Sequence, residues 1–82
     1  MSSSIDAKLT WQRGGTTLQQ NIKAQIDSEG SGTYTIFIVG HSKEVLGGDE
    51  FLDVVRNKKY QAVEDTDPFQ GSHIEIPVKR IV

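Results

Sequence analysis

Thr33-Tyr34-Thr35-Ile36-Phe37-Ile38-Val39 is the most apolar and most β-prone run in the chain. Its β-branched and aromatic side chains favour a strand over a helix. In a strand, Tyr34, Ile36 and Ile38 face one side while Thr35, Phe37 and Val39 face the other. Both sides become apolar toward the end, so this strand is expected to be central and covered on both faces there. A small open sheet provides no such cover. A helix, the rest of a closed barrel or another subunit must supply it.

Upstream, Ile5, Ala7, Leu9 and Trp11 alternate with Asp6, Lys8, Thr10 and Gln12, the period of a strand with one wet face. Arg13-Gly14-Gly15-Thr16-Thr17 reads as a turn whose glycines accept positive φ. Leu18, Gln20, Ile22, Ala24 and Ile26 then alternate with polar residues. Leu18, Ile22 and Ile26 also have helical spacing, and Thr17 could cap such a helix, but Ala24 keeps the strand pattern and a strand is favoured. Ser28-Glu29-Gly30-Ser31-Gly32 is a turn, so residues 5–39 read as a three-stranded antiparallel meander.

Downstream the signals are shorter. Gly40-His41-Ser42-Lys43-Glu44 lacks the glycine spacing and the Gly-Lys-Ser/Thr ending of a phosphate loop and reads as a turn. Asp49 can cap a short helix through Glu50–Arg56, with Phe51, Leu52 and Val55 on one face; a bent strand is the alternative. Tyr60–Glu64 reads as a strand and Asp65–Gly71 as a loop. In His73–Val82, residues Ile74, Ile76 and Val78 share a face. Pro77 cannot donate to a ladder, so the strand is expected to be interrupted or at an edge there. Val78–Arg80 would make a tight turn and Ile81-Val82 a very short last strand.

About five to seven short strands in one small domain, residues 1–82, mean an all-β fold with at most one or two short helices: a strongly bent antiparallel β-barrel of the Sm-like or SH3-like kind. The expected core is Leu9, Trp11, Ile22, Ile26, Tyr34, Ile36, Ile38, Leu52, Ile74 and Ile76. A chain of 82 residues buries only about 60–65% of its unfolded surface, and such domains often gain stability by oligomerising. There is no cysteine, hence no disulfide framework or thiolate metal site. Neither a signal-peptide pattern nor a membrane-length apolar segment is present, so a soluble, cytoplasmic chain is expected.

Nine basic against eleven acidic residues give a net charge of −2, which argues against coating nucleic acid with the whole surface. The basic residues are nevertheless uneven, with Arg56, Lys58, Lys59, Lys79 and Arg80 concentrated toward the C-terminus. His41 and His73 lack metal-site spacing and read as surface or interface residues. Ser42 and Ser72 adjoin histidines in sequence, but adjacency on a strand sends the side chains to opposite faces. Asp49, Glu50 and Asp53 read as helix N-terminal charges, and Asp65 and Asp67 as turn residues. No catalytic residue, metal site or cofactor is expected, and the chain is not read as an enzyme. Trp11 belongs to the core. Tyr60, directly after Lys58-Lys59, is a candidate for stacking on a base.

The ending Ser72-His73-Ile74-Glu75-Ile76-Pro77-Val78-Lys79-Arg80-Ile81-Val82 resembles the last part of Sm/LSm-type proteins, including the bacterial Sm-like RNA chaperones. In that family a fourth strand ends in a tight turn and a short fifth strand follows at once. The whole chain is also similar to an uncharacterised group of Sm-like proteins from ocean metagenomes attributed to cyanophages, which would put it in a host cytoplasm. The resemblance implies a ring of about five to seven subunits that binds single-stranded nucleic acid, RNA ahead of DNA. Lys79 and Arg80 fall where the family commonly contacts RNA. The family's Asp-x-x-Asn loop, Arg-Gly signature and N-terminal helix have no counterpart here, so weak base preference is expected. Lys58, Lys59, Tyr60, Lys79 and Arg80 are the candidate site, with Ile81 and Val82 at the ring seam. The alternative is a protein–protein adaptor of the same fold with no nucleic-acid role.

Overall fold

Six strands account for the regular structure of a computed structural model that describes residues 4–70 and 72–81: β1 (Ser4–Arg13), β2 (Thr16–Gly30), β3 (Thr33–Val39), β4 (Glu50–Asp53), β5 (Lys58–Ala62) and β6 (His73–Arg80). All neighbours are antiparallel, and the order β1-β2-β3-β6-β5-β4 closes on itself through β1 and β4. The chain is therefore an all-β closed barrel, and no helix occurs among the described residues.

The N-terminal meander follows from its turns. Gly14 and Gly15 both have positive φ, as do Ser31 and Gly32, the backbone that two-residue hairpins need to match strand twist. The first hairpin pairs Arg13 with Thr16, the second Gly30 with Thr33. β2 bends at Asn21, whose φ is 57°. Residues 25–30 of β2 pair with β3, while residues 16–21 run on beyond β3 and pair with β1 alone, which β4 flanks on its other side over Leu9–Gln12.

Closure supplies the cover that the central strand required on one face. Ile36 and Ile38 point inward with Leu9, Trp11, Ile22, Ile26, Ile74, Ile76 and Val78, and Tyr34 packs on this core partly buried. The other face is not covered: Phe37 is half-buried and Val39 is 74% exposed.

Three expectations are corrected. Glu50–Asp53 is a strand and residues 54–57 a turn, not a helix. Paired with β1 on one side and β5 on the other, four residues gain two ladders, which a short isolated helix cannot match. The period changes with it: Phe51 enters the core fully buried, Leu52 turns outward half-buried, and Val55 is 86% exposed. Second, β6 runs without interruption through Pro77 to Arg80, so Val78–Arg80 is not a turn. Its β5 partner pairs only as far as Val78. The Pro77 carbonyl still accepts from the Val63 N–H at 3.0 Å on that side, so the β5 ladder ends at the proline, which has no N–H to return, while β3 pairs straight past it on the other side. Third, Ile81 lies outside any strand, its N–H tied to the Lys59 carbonyl at 2.8 Å; Val82 lies outside the described residues.

Candidate nucleic-acid interface

The β5–β6 register brings the two basic segments together. Tyr60 lies opposite Arg80 and Gln61 opposite Lys79. Lys59 and Lys79 therefore share the outer face, while Arg80 and Lys58 lie in the inward-facing series at the open end of the barrel. Lys79 and Arg80 are exposed, and Lys58 and Lys59 are half-buried. Lys59 has Glu50 at 3.9 Å, and Lys58 lies opposite Asp53, which Arg56 holds; Lys58, Lys79 and Arg80 make no ion pair among the described residues. An ion pair that long at the surface contributes little, so the four cations stay available to a phosphate.

Tyr60 does not join them. It is 3% exposed, with its ring edge-on to Tyr34 at 5.3 Å. Burial, then the neighbouring Tyr34 and Asp53, push its hydroxyl pKa up. A ring held inside the barrel offers no face to a base, so the stacking role that sequence suggests for it does not hold. The exposed aromatic surface lies elsewhere. His73 stacks on Phe37 at 4.9 Å and leans on Phe69 at 5.5 Å; Phe69 is 64% exposed.

No family model matches this chain, and neither a curated protein nor a solved structure does.

The most constrained polar group is Asp49, which the sequence pattern places at a helix end. It is 2% exposed and accepts from Arg13 Nε and Nη2, both at 2.8 Å, from Trp11 Nε1 at 3.0 Å and from the Leu46 N–H at 2.9 Å. Burial pushes its carboxyl up, but the Arg13 fork, the Leu46 N–H and the indole N–H outweigh it and hold the pKa below its ordinary value. Arg13 is in turn raised, chiefly by that hydrogen bond. The signal was present in the alternation: Leu9, Trp11 and Arg13 fall on one face, and an arginine in an inward series needs a carboxylate. Asp53, also buried, accepts from the Arg56 N–H at 3.2 Å and Nη1 at 3.0 Å, closing the β4–β5 turn. Both carboxylates are therefore acceptors in structural pairs.

His41 is not a surface residue either. Gly40, at φ 78°, turns the chain so that His41 is 6% exposed and meets Trp11 edge-on at 5.2 Å. Burial lowers its pKa, aided by the Lys43 charge and opposed by a backbone hydrogen bond at Lys43. His73 stays on the outer face of β6, with Nε2 3.1 Å from Glu75. Among the described residues no group of three or more His, Asp or Glu is placed to hold a metal ion, and no helix is long and apolar enough to cross a membrane.

Proposed function

We propose that this barrel is a non-catalytic binding module for single-stranded nucleic acid, RNA ahead of DNA, that works as a cyclic homo-oligomer. The observation that carries the reading is the β5–β6 register, which gathers Lys58, Lys59, Lys79 and Arg80 at one end of the barrel, where only Lys59 is ion-paired among the described residues, to Glu50 at 3.9 Å. Lysine and arginine bind phosphates by releasing counterions, and this does not require a net basic chain. Repetition around a ring would concentrate the field further.

Support for assembly comes from the long ribbon rather than from a terminal strand. Among the described residues, β1 pairs with β4 only over Leu9–Gln12 and β2 with β3 only over Gln25–Gly30. That leaves residues 4–8 of β1 and 16–24 of β2 as open edges on opposite sides of one ribbon. Edges of this kind invite pairing with another chain, and an interface between two different edges repeats head to tail and can close a ring.

Charge reversal tests the binding. Lys79→Glu with Arg80→Glu should lower both the affinity for RNA and the salt slope, by about 0.7 for each phosphate no longer neutralised, with the oligomer intact by light scattering. Unchanged binding in that double variant would remove the assignment. The second reading, a protein adaptor, is favoured by the exposure of Val39, Val54, Val55 and Phe69; it predicts no RNA binding even at low salt.

A further inference from the structure

The outer face of β1, β2 and β3 carries an open groove of about 820 Å³, in the size range of small-ligand sites. Lys8 and Lys23 stand in it, Phe37 and Val39 form one wall, and Val55 and Arg56 of the β4–β5 turn form the other. Lys8 and Lys23 are directly opposite each other on neighbouring strands, both exposed. Like charges in that position repel. Neither has a carboxylate within ion-pair distance among the described residues. Asp6, two residues before Lys8 on the same face, also lines the groove; it is opposite Gln25 and accepts from its amide at 3.5 Å. Arg56 is fixed in the wall by its 3.0 Å hydrogen bond to Asp53.

A repelling lysine pair beside an aromatic ring calls for a ligand that is anionic and has a flat apolar part. Phe37 presents such a ring, backed on one side by His73 at 4.9 Å. Single-stranded nucleic acid combines both properties within one repeating unit, and stacking on an aromatic ring serves any base. The groove also adjoins the basic cluster through the chain itself, since Arg56 lies two residues before Lys58, the first residue of β5. We infer that this groove is a nucleotide-binding subsite, in which Lys8 and Lys23 take a phosphate and Phe37 stacks a base of the same strand that Lys58, Lys59, Lys79 and Arg80 hold. This rests on the nucleic-acid reading and extends it to residues outside that cluster.

Fluorescence anisotropy with a labelled single-stranded RNA of mixed sequence, titrated over a range of salt, tests the subsite. Lys8→Gln with Lys23→Gln should reduce the salt slope by about 0.7, for the one phosphate no longer neutralised. Phe37→Leu keeps an apolar wall but removes the stacking face; it should weaken binding roughly five-fold to a hundred-fold with the slope unchanged. Circular dichroism and the thermal midpoint establish that both variants fold. If both bind as the parent does while Lys79→Glu/Arg80→Glu binds weakly, the groove proposal is overturned and the cluster stands. If the groove variants change the molar mass by light scattering and leave RNA binding alone, a second copy covers the groove and the proposal is again overturned. No binding by the parent chain at low salt overturns the groove and the cluster together.

Discussion

The charges around Asp49 and those around Lys8 and Lys23 are built on the same β1–β2 ribbon and treated in opposite ways. At Asp49 a buried carboxylate accepts four hydrogen bonds, two of them from one guanidinium. On the outer face of the ribbon, two lysines face each other with no carboxylate within ion-pair distance among the described residues. A buried charge left unpaired costs several kcal/mol and does not persist. An exposed one costs little, and so it can be retained for a partner. The contrast separates what holds the barrel from what faces outward, and each side can be broken without the other.

The largest effects belong to the closed side. Ile36→Ala removes a fully buried side chain from the centre of the barrel and should cost about 2–5 kcal/mol by denaturant titration. Asp49→Ala removes the acceptor for the Trp11 and Leu46 N–H groups and strands Arg13, which is itself 41% exposed. A loss of about 2–4 kcal/mol is expected, with the salt slope of RNA binding unchanged in protein that remains folded. A loss under about 0.5 kcal/mol, the range of an ordinary surface substitution, would show that the network does not hold the barrel.

Acid acts on the same end. Asp49 is depressed by its donors, and His41 by burial first and the Lys43 charge second. For both groups the unfolded chain binds protons more readily than the folded one. Their contribution to stability is therefore present above the ordinary values of 6.5 for His41 and 3.8 for Asp49, and is lost as pH falls through each folded value. Denaturant midpoints should fall in two stages, the first below the ordinary histidine range. His41→Phe should abolish the first stage and leave the second.

The smallest stability effect belongs to the open side. Lys8→Gln with Lys23→Gln should be neutral or stabilising by a few tenths of a kcal/mol, because it removes a like-charge pair. Clear destabilisation, measured by the thermal midpoint, would mean that the lysines are structural and the contrast fails.

Period carried most of the fold into view. Ile5–Gln12 alternates cleanly, Leu18–Ile26 keeps the period apart from Gln20, Thr33–Val39 is β-prone throughout, and the three strands appear with the turns where glycines allow positive φ. Residues 49–56 misled because Asp49 and Glu50 imitate a helix start, and local charge cannot show that β1 and β5 lie on either side to pair with the strand. Pro77 marks the edge that its missing N–H implies, since β5 pairing stops at Val78, but it does not interrupt β6, because β3 pairs through it on the other side. The C-terminal cations were legible as composition. The burial of Tyr60 depended on which face of β5 looks inward, and the facing of Lys8 and Lys23 on a register set by the bend of β2; neither is encoded locally.

The central claim is that the clustered cations of this acidic chain hold a phosphate backbone. Its most direct test is the salt dependence of single-stranded RNA binding by the unaltered protein. With Lys58, Lys59, Lys79 and Arg80 each on a phosphate, log K should fall with log salt at a slope of about −2.8, and more steeply if Lys8 and Lys23 also engage. A slope near zero, or no binding at low salt, would contradict the account.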